Sequence, residues 1–222
     1  MQNIVLKLII FDFDGTLADS FPWFTRVLND VADRYRFKRI EPHEVELLRG
    51  FSGRQVMKHL RASPWKVPFI AAHMRRLKAR DIDQVSLFDG VPTMLRQLSD
   101  AGFKLAIVSS NALENVRHVL GDENAALIDH YECGVSIFGK KSRFLKLLKA
   151  TSVAPAAALS IGDEIRDAEA SRAAGIPFAA VSWGYTTPAA LMAQKPAVMF
   201  RSMAEIAAFA SRGGVQSDRT AH

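Results

Sequence analysis

Two aspartates one residue apart end the first apolar run of the chain, in residues 11–16, which read FDFDGT. Side chains alternate along a strand, so Asp12 and Asp14 are predicted to lie on one face and Phe11 and Phe13 on the other. Two carboxylates this close repel each other unless a cation or a proton lies between them. The segment therefore indicates chemistry more than a structural role.

Polar residues that suit chemistry also appear in three later segments, 109–111 (SSN), 139–141 (GKK) and 162–167 (GDEIRD). The first and last of these directly follow apolar runs. Asp167 lies one helical turn after Asp163, so both carboxylates are predicted to project from the same face of a helix. The alternative for each acid is a structural one, because a carboxylate at a strand end often caps the next helix.

The elements that position these segments alternate between two patterns. Strand-like apolar runs recur at 4–11, 104–108, 158–161 and 178–181, with weaker ones near 133–138 and 197–200. Helical patterns separate them at 92–101, 112–120, 142–150, 164–174 and 203–210. This alternation predicts an α/β fold with a doubly wound parallel sheet, which binds ligands beyond the carboxyl ends of its strands.

Residues 18–85 break the alternation, because they show helical periodicity without strand-like runs. A compact helical insert after the first strand explains this pattern most simply. We therefore assign residues 1–17 and 86–211 to an α/β core domain and residues 18–85 to the insert. The tail, residues 212–222, is polar and is predicted to be disordered.

Composition narrows the class of protein. The 29 basic and 23 acidic residues give a net charge of +6, but the basic residues are dispersed, which disfavours a nucleic-acid partner. No apolar run approaches the roughly 18 residues that span a membrane. The single cysteine, Cys133, excludes an internal disulfide and fits a reducing cytosol, so we expect a cytoplasmic protein.

The segments at 12–16, 108–111, 139–141 and 162–167 together resemble the haloacid dehalogenase-like hydrolase superfamily. The resemblance is closest to its phosphatases of the phosphoglycolate phosphatase type, in which a helical cap follows the first strand of a Rossmann-like core. It implies that Asp12 is a nucleophile that forms an aspartyl-phosphate and that Asp14 is the general acid and base. It also implies Mg²⁺ bound by Asp12, the backbone carbonyl of Asp14, and Asp163.

The same resemblance implies roles for the remaining polar residues. Asp167 would orient a lysine or a metal-bound water. The transferring phosphoryl group would be bound by residues of the second and third segments, namely Ser109, Ser110, Asn111 and Lys140. The choice between Lys140 and Lys141 stays open on the residues alone, and the family pattern favours Lys140 because it directly follows Gly139.

Residues 49–54 of the insert (RGFSGR) resemble the substrate-specificity loop of capped phosphatases and phosphomutases. Arg49, Gly50 and Arg54 are therefore candidate substrate-binding residues, since a guanidinium group suits a carboxylate or a second phosphate. The alternative is a helix–helix turn with solvated arginines. Phosphonate-cleaving relatives need a cap lysine, and no recognised pattern selects one of the insert's lysines Lys38, Lys58, Lys66 and Lys78.

The sequence thus predicts an enzyme that hydrolyses a small-molecule phosphate monoester with Mg²⁺, acting as a monomer or homodimer. Asp14 argues against carbon–halogen cleavage, because the dehalogenase branch lacks this second acid. Two alternatives stay open, a phosphomutase of the β-phosphoglucomutase type and a catalytically idle binding or regulatory protein with the same fold.

Overall fold

A computed structural model describes residues 5–134 and 139–211 of the chain. Its centre is a six-stranded sheet in the order β5-β4-β1-β6-β7-β8, in which every neighbouring pair is parallel. The strands are β1 (Leu8–Phe11), β4 (Lys104–Val108), β5 (His130–Glu132), β6 (Ala158–Gly162), β7 (Phe178–Val181) and β8 (Val198–Phe200). The predicted α/β fold is confirmed.

Helices cover both faces of this sheet. They are α5 (Val91–Asp100), α6 (Leu113–Ala125), α7 (Lys140–Thr151), α8 (Ile165–Ala174), α9 (Pro188–Met192) and α10 (Met203–Ser211). Ile9 and Phe11 of β1 pack with apolar residues of α5, α6 and α10, whereas Leu8 and Ile10 pack with those of α7 and α8. Because β1 is apolar on both faces, it forms the buried centre of the sheet.

Residues 18–87 contain the helices α1 (Phe21–Tyr35), α2 (Val45–Arg49), α3 (Gly53–His59) and α4 (Val67–Arg80). Two short strands, β2 (Ala18–Asp19) and β3 (Ser86–Leu87), flank these helices and pair antiparallel with each other. Trp23 and Val27 of α1 join the apolar cluster that covers one face of the sheet. The division into a core domain and an insert stays a prediction, and we keep the name insert for residues 18–85.

Two predicted strands differ from the observed ones. The first strand begins at Leu8, not at Ile4, although Lys7 still donates a backbone hydrogen bond to Ala157 (2.8 Å). The strand predicted near 133–138 is wrong at its start, because β5 ends at Glu132 and Cys133 and Gly134 are not extended. Residues 135–138 and the predicted tail at 212–222 lie outside the described residues. None of the helices within the described ranges is long and apolar enough to cross a membrane.

Candidate active site

Asp12 lies directly after β1, at the carboxyl edge of the sheet. Its backbone amide donates to the carbonyl of Ile161 in β6 (2.9 Å), and its Oδ1 accepts from the amide of Phe13 (2.8 Å). Phe11 and Phe13 are fully buried in the apolar cluster on one face of the sheet, while Asp12 is 5 % exposed. The two aromatic anchors therefore fix the backbone on either side of the carboxylate.

Asp163 follows β6, and both of its carboxylate oxygens are held. Thr16 Oγ1 donates to Oδ1 (2.7 Å), and the backbone amide of Tyr185 donates to Oδ2 (2.7 Å). Gly15, with φ of +79°, lies so close that a Cβ there would be 2.3 Å from Asp163 Oδ2. Only glycine fits this position, both for its left-handed backbone and for this close approach. The FDFDGT and GDEIRD segments thus meet.

Lys140 is the first residue of α7 and brings a buried ammonium to these acids. Its Nζ lies 2.7 Å from Asp12 Oδ2 and also forms an ion pair with Asp167 Oδ1. Lys141, the next residue, is exposed. Asp167 Oδ2 accepts in addition from the amide of Glu164 (3.1 Å), at the start of α8. The structure therefore brings Lys140, and not Lys141, to the acids.

Burial and neighbouring charges shift the pKa values of the three carboxyls in different directions. Burial opposes ionisation of Asp12, but Lys140 and Arg166 lower the pKa of this carboxyl below its ordinary value. The pKa of Asp163 is raised well above its ordinary value by burial and by the neighbouring carboxylates. Burial also raises the pKa of Asp167, to about 7, against the opposing effect of Lys140. Of the three carboxyls, Asp12 is thus the one whose surroundings favour the ionised form.

The three carboxylates form a possible cation site. One oxygen from each of Asp12, Asp163 and Asp167 lies within 4.8 Å of the others. Asp12 Oδ2 is buried, and among the described residues its partner is the ammonium of Lys140, 2.7 Å away. A buried all-oxygen donor set of three carboxylates, opposed by one ammonium, fits a hard divalent cation such as Mg²⁺.

The segment after β4 lies at the same edge of the sheet. The amide of Ser109 donates to the carbonyl of Glu132 in β5 (3.1 Å), and Ser109 Oγ accepts from the amide of Asn111 (3.0 Å). Asn111 Oδ1 accepts from Ala112 and Asn115, and within the described ranges the buried Asn111 Nδ2 has no partner. This segment therefore has an unused donor, and phosphate binding by Ser109, Ser110 and Asn111 stays a prediction.

Asp14 is contacted by a residue that the sequence did not single out. Lys78 of α4 forms an ion pair with Asp14 Oδ1, and its Nζ lies over the ring of Trp23 at 5.4 Å from the centroid. Trp23 Nε1 in turn donates to Asp81 Oδ2 (3.1 Å). Lys78 is the only buried residue of the fourteen in α4, all of which the structure describes. The insert thus places an ammonium beside the candidate acid and base.

The predicted specificity loop meets the core at a segment that we call the Gly184 loop, residues 182–187. Arg49 donates from Nη2 to the carbonyl of Gly184 (2.8 Å) and from Nε to that of Tyr185 (3.1 Å). Gly50 follows at the end of α2, and Arg54 is exposed near the start of α3. Substrate binding by Arg49, Gly50 and Arg54 stays a prediction.

Comparisons with a family model, with known proteins and with solved structures agree on the class of protein. Residues 9–181 match the family model described as haloacid dehalogenase-like hydrolase. A phosphoglycolate phosphatase from Synechococcus elongatus is 32 % identical over 192 residues, covering 86 % of this chain and 91 % of the relative. One from Aquifex aeolicus is 26 % identical over 184 residues, covering 81 % and 86 %. A haloacid dehalogenase-like family protein from Streptococcus pneumoniae shares the fold, with a TM-score of 0.76, 23 % identity and coverage of 92 % and 98 %.

Proposed function

We propose that this chain, which belongs to the haloacid dehalogenase-like hydrolase family, hydrolyses a small phosphate monoester through an aspartyl-phosphate on Asp12 in a Mg²⁺-dependent reaction. The chain is a phosphatase-type hydrolase, which agrees with the resemblance seen in its motifs. One observation carries the finer proposal. Asp12 shares a 4.8 Å cluster with Asp163 and Asp167, and the ammonium of Lys140 lies 2.7 Å from Asp12 Oδ2.

In the first step, an Asp12 oxygen attacks phosphorus in line and the bond from phosphorus to the ester oxygen breaks. Asp14 donates its proton to the departing alkoxide, so that a neutral alcohol leaves. Lys140 faces the developing negative charge from a buried position, where its attraction is strong. Mg²⁺ held by Asp12, the Asp14 carbonyl and Asp163 would neutralise further charge on the phosphoryl oxygens.

In the second step, water attacks the aspartyl-phosphate and Asp14 removes the proton of this water. The bond from phosphorus to Asp12 breaks, inorganic phosphate is released and the carboxylate is restored. Asp14 therefore alternates between protonated and ionised forms. When Asp14 is ionised, its ion pair with Lys78 fixes the direction of the carboxylate and holds α4 of the insert near the proposed reacting centre.

The substrate class that we propose is a short phosphorylated carboxylic acid such as 2-phosphoglycolate. The named relatives support this choice. Lys78 supports it as well, because its ammonium lies next to Asp14, the residue proposed to protonate the leaving group. A carboxylate there would gain a charge-assisted contact from Lys78.

The proposal includes a cytoplasmic location, for which the single Cys133 is the support. Burial raises the pKa of this thiol to about 12, so it stays protonated and takes no part in the proposed chemistry.

Release of inorganic phosphate from a panel of esters tests the proposal. We expect the purified chain with Mg²⁺ to hydrolyse p-nitrophenyl phosphate, and to show its highest kcat/KM for 2-phosphoglycolate. EDTA should abolish turnover, and Asp12→Asn should abolish it with the fold retained by circular dichroism.

Each contrary result points to a specific alternative. If the folded chain hydrolyses no ester with Mg²⁺ present, it is an idle binding protein. If it converts glucose 1-phosphate to glucose 6-phosphate faster than it releases phosphate, it is a phosphomutase. Full turnover by Asp12→Asn would overturn the assignment of the nucleophile.

A further inference from the structure

The Gly184 loop contacts Asp163 on one side. The amide of Tyr185 donates to Asp163 Oδ2 (2.7 Å), and the amide of Thr186 donates to the Asp163 carbonyl (3.3 Å). At Gly184 a Cβ would lie 2.2 Å from the Cβ of Asp163, so the loop backbone is packed directly on the aspartate. The direction of the Asp163 carboxylate therefore depends on where this loop lies.

On its other side the Gly184 loop contacts the insert through Arg49. The guanidinium spans two consecutive carbonyls, those of Gly184 and Tyr185, and the carbonyl of Arg49 accepts from the amide of Thr187 (3.0 Å). The guanidinium also lies over the ring of Phe21, 5.2 Å from the centroid. Three hydrogen bonds thus join the end of α2 to three positions of the loop, residues 184, 185 and 187.

One peptide group takes part in both sets of contacts. The peptide bond between Gly184 and Tyr185 offers its carbonyl to Arg49 and its amide to Asp163. A peptide group is planar and rigid, so tilting its carbonyl also redirects its amide. Hydrogen bonds in series polarise one another, so a donor on the carbonyl strengthens the bond that the amide makes.

We propose that Arg49 is a positioning residue that couples the docking of the insert to the binding of Mg²⁺ at Asp163. This inference rests on the magnesium site of the proposed function. Arg49 holds the Gly184–Tyr185 peptide, this peptide holds the Asp163 carboxylate through Oδ2, and the carboxylate would bind the cation. Because linkage is reciprocal, bound Mg²⁺ in turn strengthens the docking of α2 on the Gly184 loop.

Isothermal titration calorimetry with Mg²⁺ alone, without substrate, tests whether Arg49 affects the affinity for Mg²⁺. We expect Arg49→Ala to bind Mg²⁺ about tenfold more weakly than the wild type, the lower range for loss of an outer partner of a metal ligand. Arg39→Ala is the matched control, because it removes an exposed arginine of the insert that pairs with Asp33. Its affinity should equal that of the wild type.

Arg49→Lys provides a second variant that keeps the charge. An ammonium is a point donor and lacks the planar fork that spans two carbonyls, so it should also bind Mg²⁺ more weakly than the wild type. If Arg49→Ala proves unfolded by circular dichroism, this variant decides the question. Wild-type affinity in a folded Arg49 variant would overturn the inference. A wild-type chain that binds no Mg²⁺ would instead overturn the magnesium site itself.

Amide hydrogen exchange tests whether bound Mg²⁺ strengthens the docking of α2 on the Gly184 loop, and this measurement does not depend on activity. In the wild type, Mg²⁺ should slow exchange at 182–187 and also at 45–49, which the cation does not touch. In Arg49→Ala the protection at 45–49 should be lost. Protection of 45–49 that persists in this variant would show that the coupling does not pass through Arg49.

Discussion

The sheet edge and the insert hold their site residues in different ways. Asp12 and Asp163 follow strands in which every residue is buried, and backbone hydrogen bonds fix the positions of these strands. The insert reaches the site through charged side chains, Lys78 and Arg49. In α2 only Leu48 is buried, and α3 buries none of its seven residues.

This difference indicates where rigidity is needed. The proposed reacting carboxylates follow fully buried strands, and Arg49 and Lys78 of the insert lie on helices with little apolar burial. A weakly packed element opens at a low cost in free energy. Helices α2 and α3 are therefore the parts of the insert that can open at the lowest cost in free energy, whereas α1 is held by Trp23 and Val27 in the apolar cluster.

The largest effect is expected from the lysine that belongs to the sheet edge. Lys140→Met should lower kcat about a thousandfold, because it removes the buried ammonium beside Asp12. Lys141→Met, one residue along the same helix, should leave kcat unchanged since this side chain is exposed. Phosphate release at saturating substrate measures both. Equal losses in the two variants would refute the assignment of Lys140.

The second largest difference between the core and the insert is expected in the free energy of unfolding. Leu95 in α5 is fully buried and Leu47 in α2 is 55 % exposed. Leu95→Ala should lower the free energy of unfolding by about 2–5 kcal/mol. The same substitution at Leu47 should change it by less than about 0.5 kcal/mol. Urea titration followed by circular dichroism measures both values, and similar values would contradict the comparison of packing.

Lys78→Met tests the contact of the insert with Asp14. Removing one partner of a largely buried ion pair costs about 2 kcal/mol, so kcat/KM should fall about 30-fold. Lys58→Met on α3 is the matched control, because its side chain is exposed, and it should behave as the wild type. If the Lys78 variant retains full kcat/KM for every ester of the panel, Lys78 has no role in the reaction.

The smallest expected effect is the number of protons released when Mg²⁺ binds to the carboxylates at the sheet edge. The pKa of Asp167 is raised to about 7 and that of Asp163 is raised as well, so below about pH 7 the metal-free site retains a proton. Mg²⁺ binding should release about one proton there and fewer as the pH rises. Calorimetry in buffers of different ionisation enthalpy counts these protons. Asp167→Asn should release fewer, and equal release would assign the proton elsewhere.

The same shift has a consequence for the metal-free protein. An unfolded aspartate has a pKa of about 3.9, so between about pH 4 and pH 7 the folded state binds more protons at Asp167 than the unfolded state does. The contribution of Asp167 to stability is therefore complete at low pH and decreases as the pH rises through this window.

The fold and the segments that carry Asp12 and Asp163 could be predicted from the sequence, because both depend on local patterns, whereas the choice of Lys140 depended on the resemblance to a known family. Apolar runs mark the buried strands, and polar residues directly after them must lie at one edge of a parallel sheet. Tyr185 was missed although it follows the predicted strand 178–181, so the same rule applied to the segment 182–187 would have identified it.

Other features depend on packing that no local pattern encodes. The strand β5 is the outermost strand of the sheet, contains His130 and Glu132, and forms because it pairs with β4. The apolar pattern of the sequence instead predicted a strand in the residues that follow. Lys78 lies 64 residues from Asp14. One feature of the sequence could have identified Lys78: it lies four residues after Met74 on the same helix face, and Met74 packs against the core.

The antiparallel pairing of β2 with β3 fixes the distance between the two ends of the insert. Ala18 lies opposite Leu87, so the chain departs and returns about one strand spacing apart, about 5 Å. A segment of any length whose ends meet at that spacing can be grafted between these two strands without stretching the sheet. Exchange of this segment between related enzymes should therefore leave the sheet and its carboxylate cluster in place.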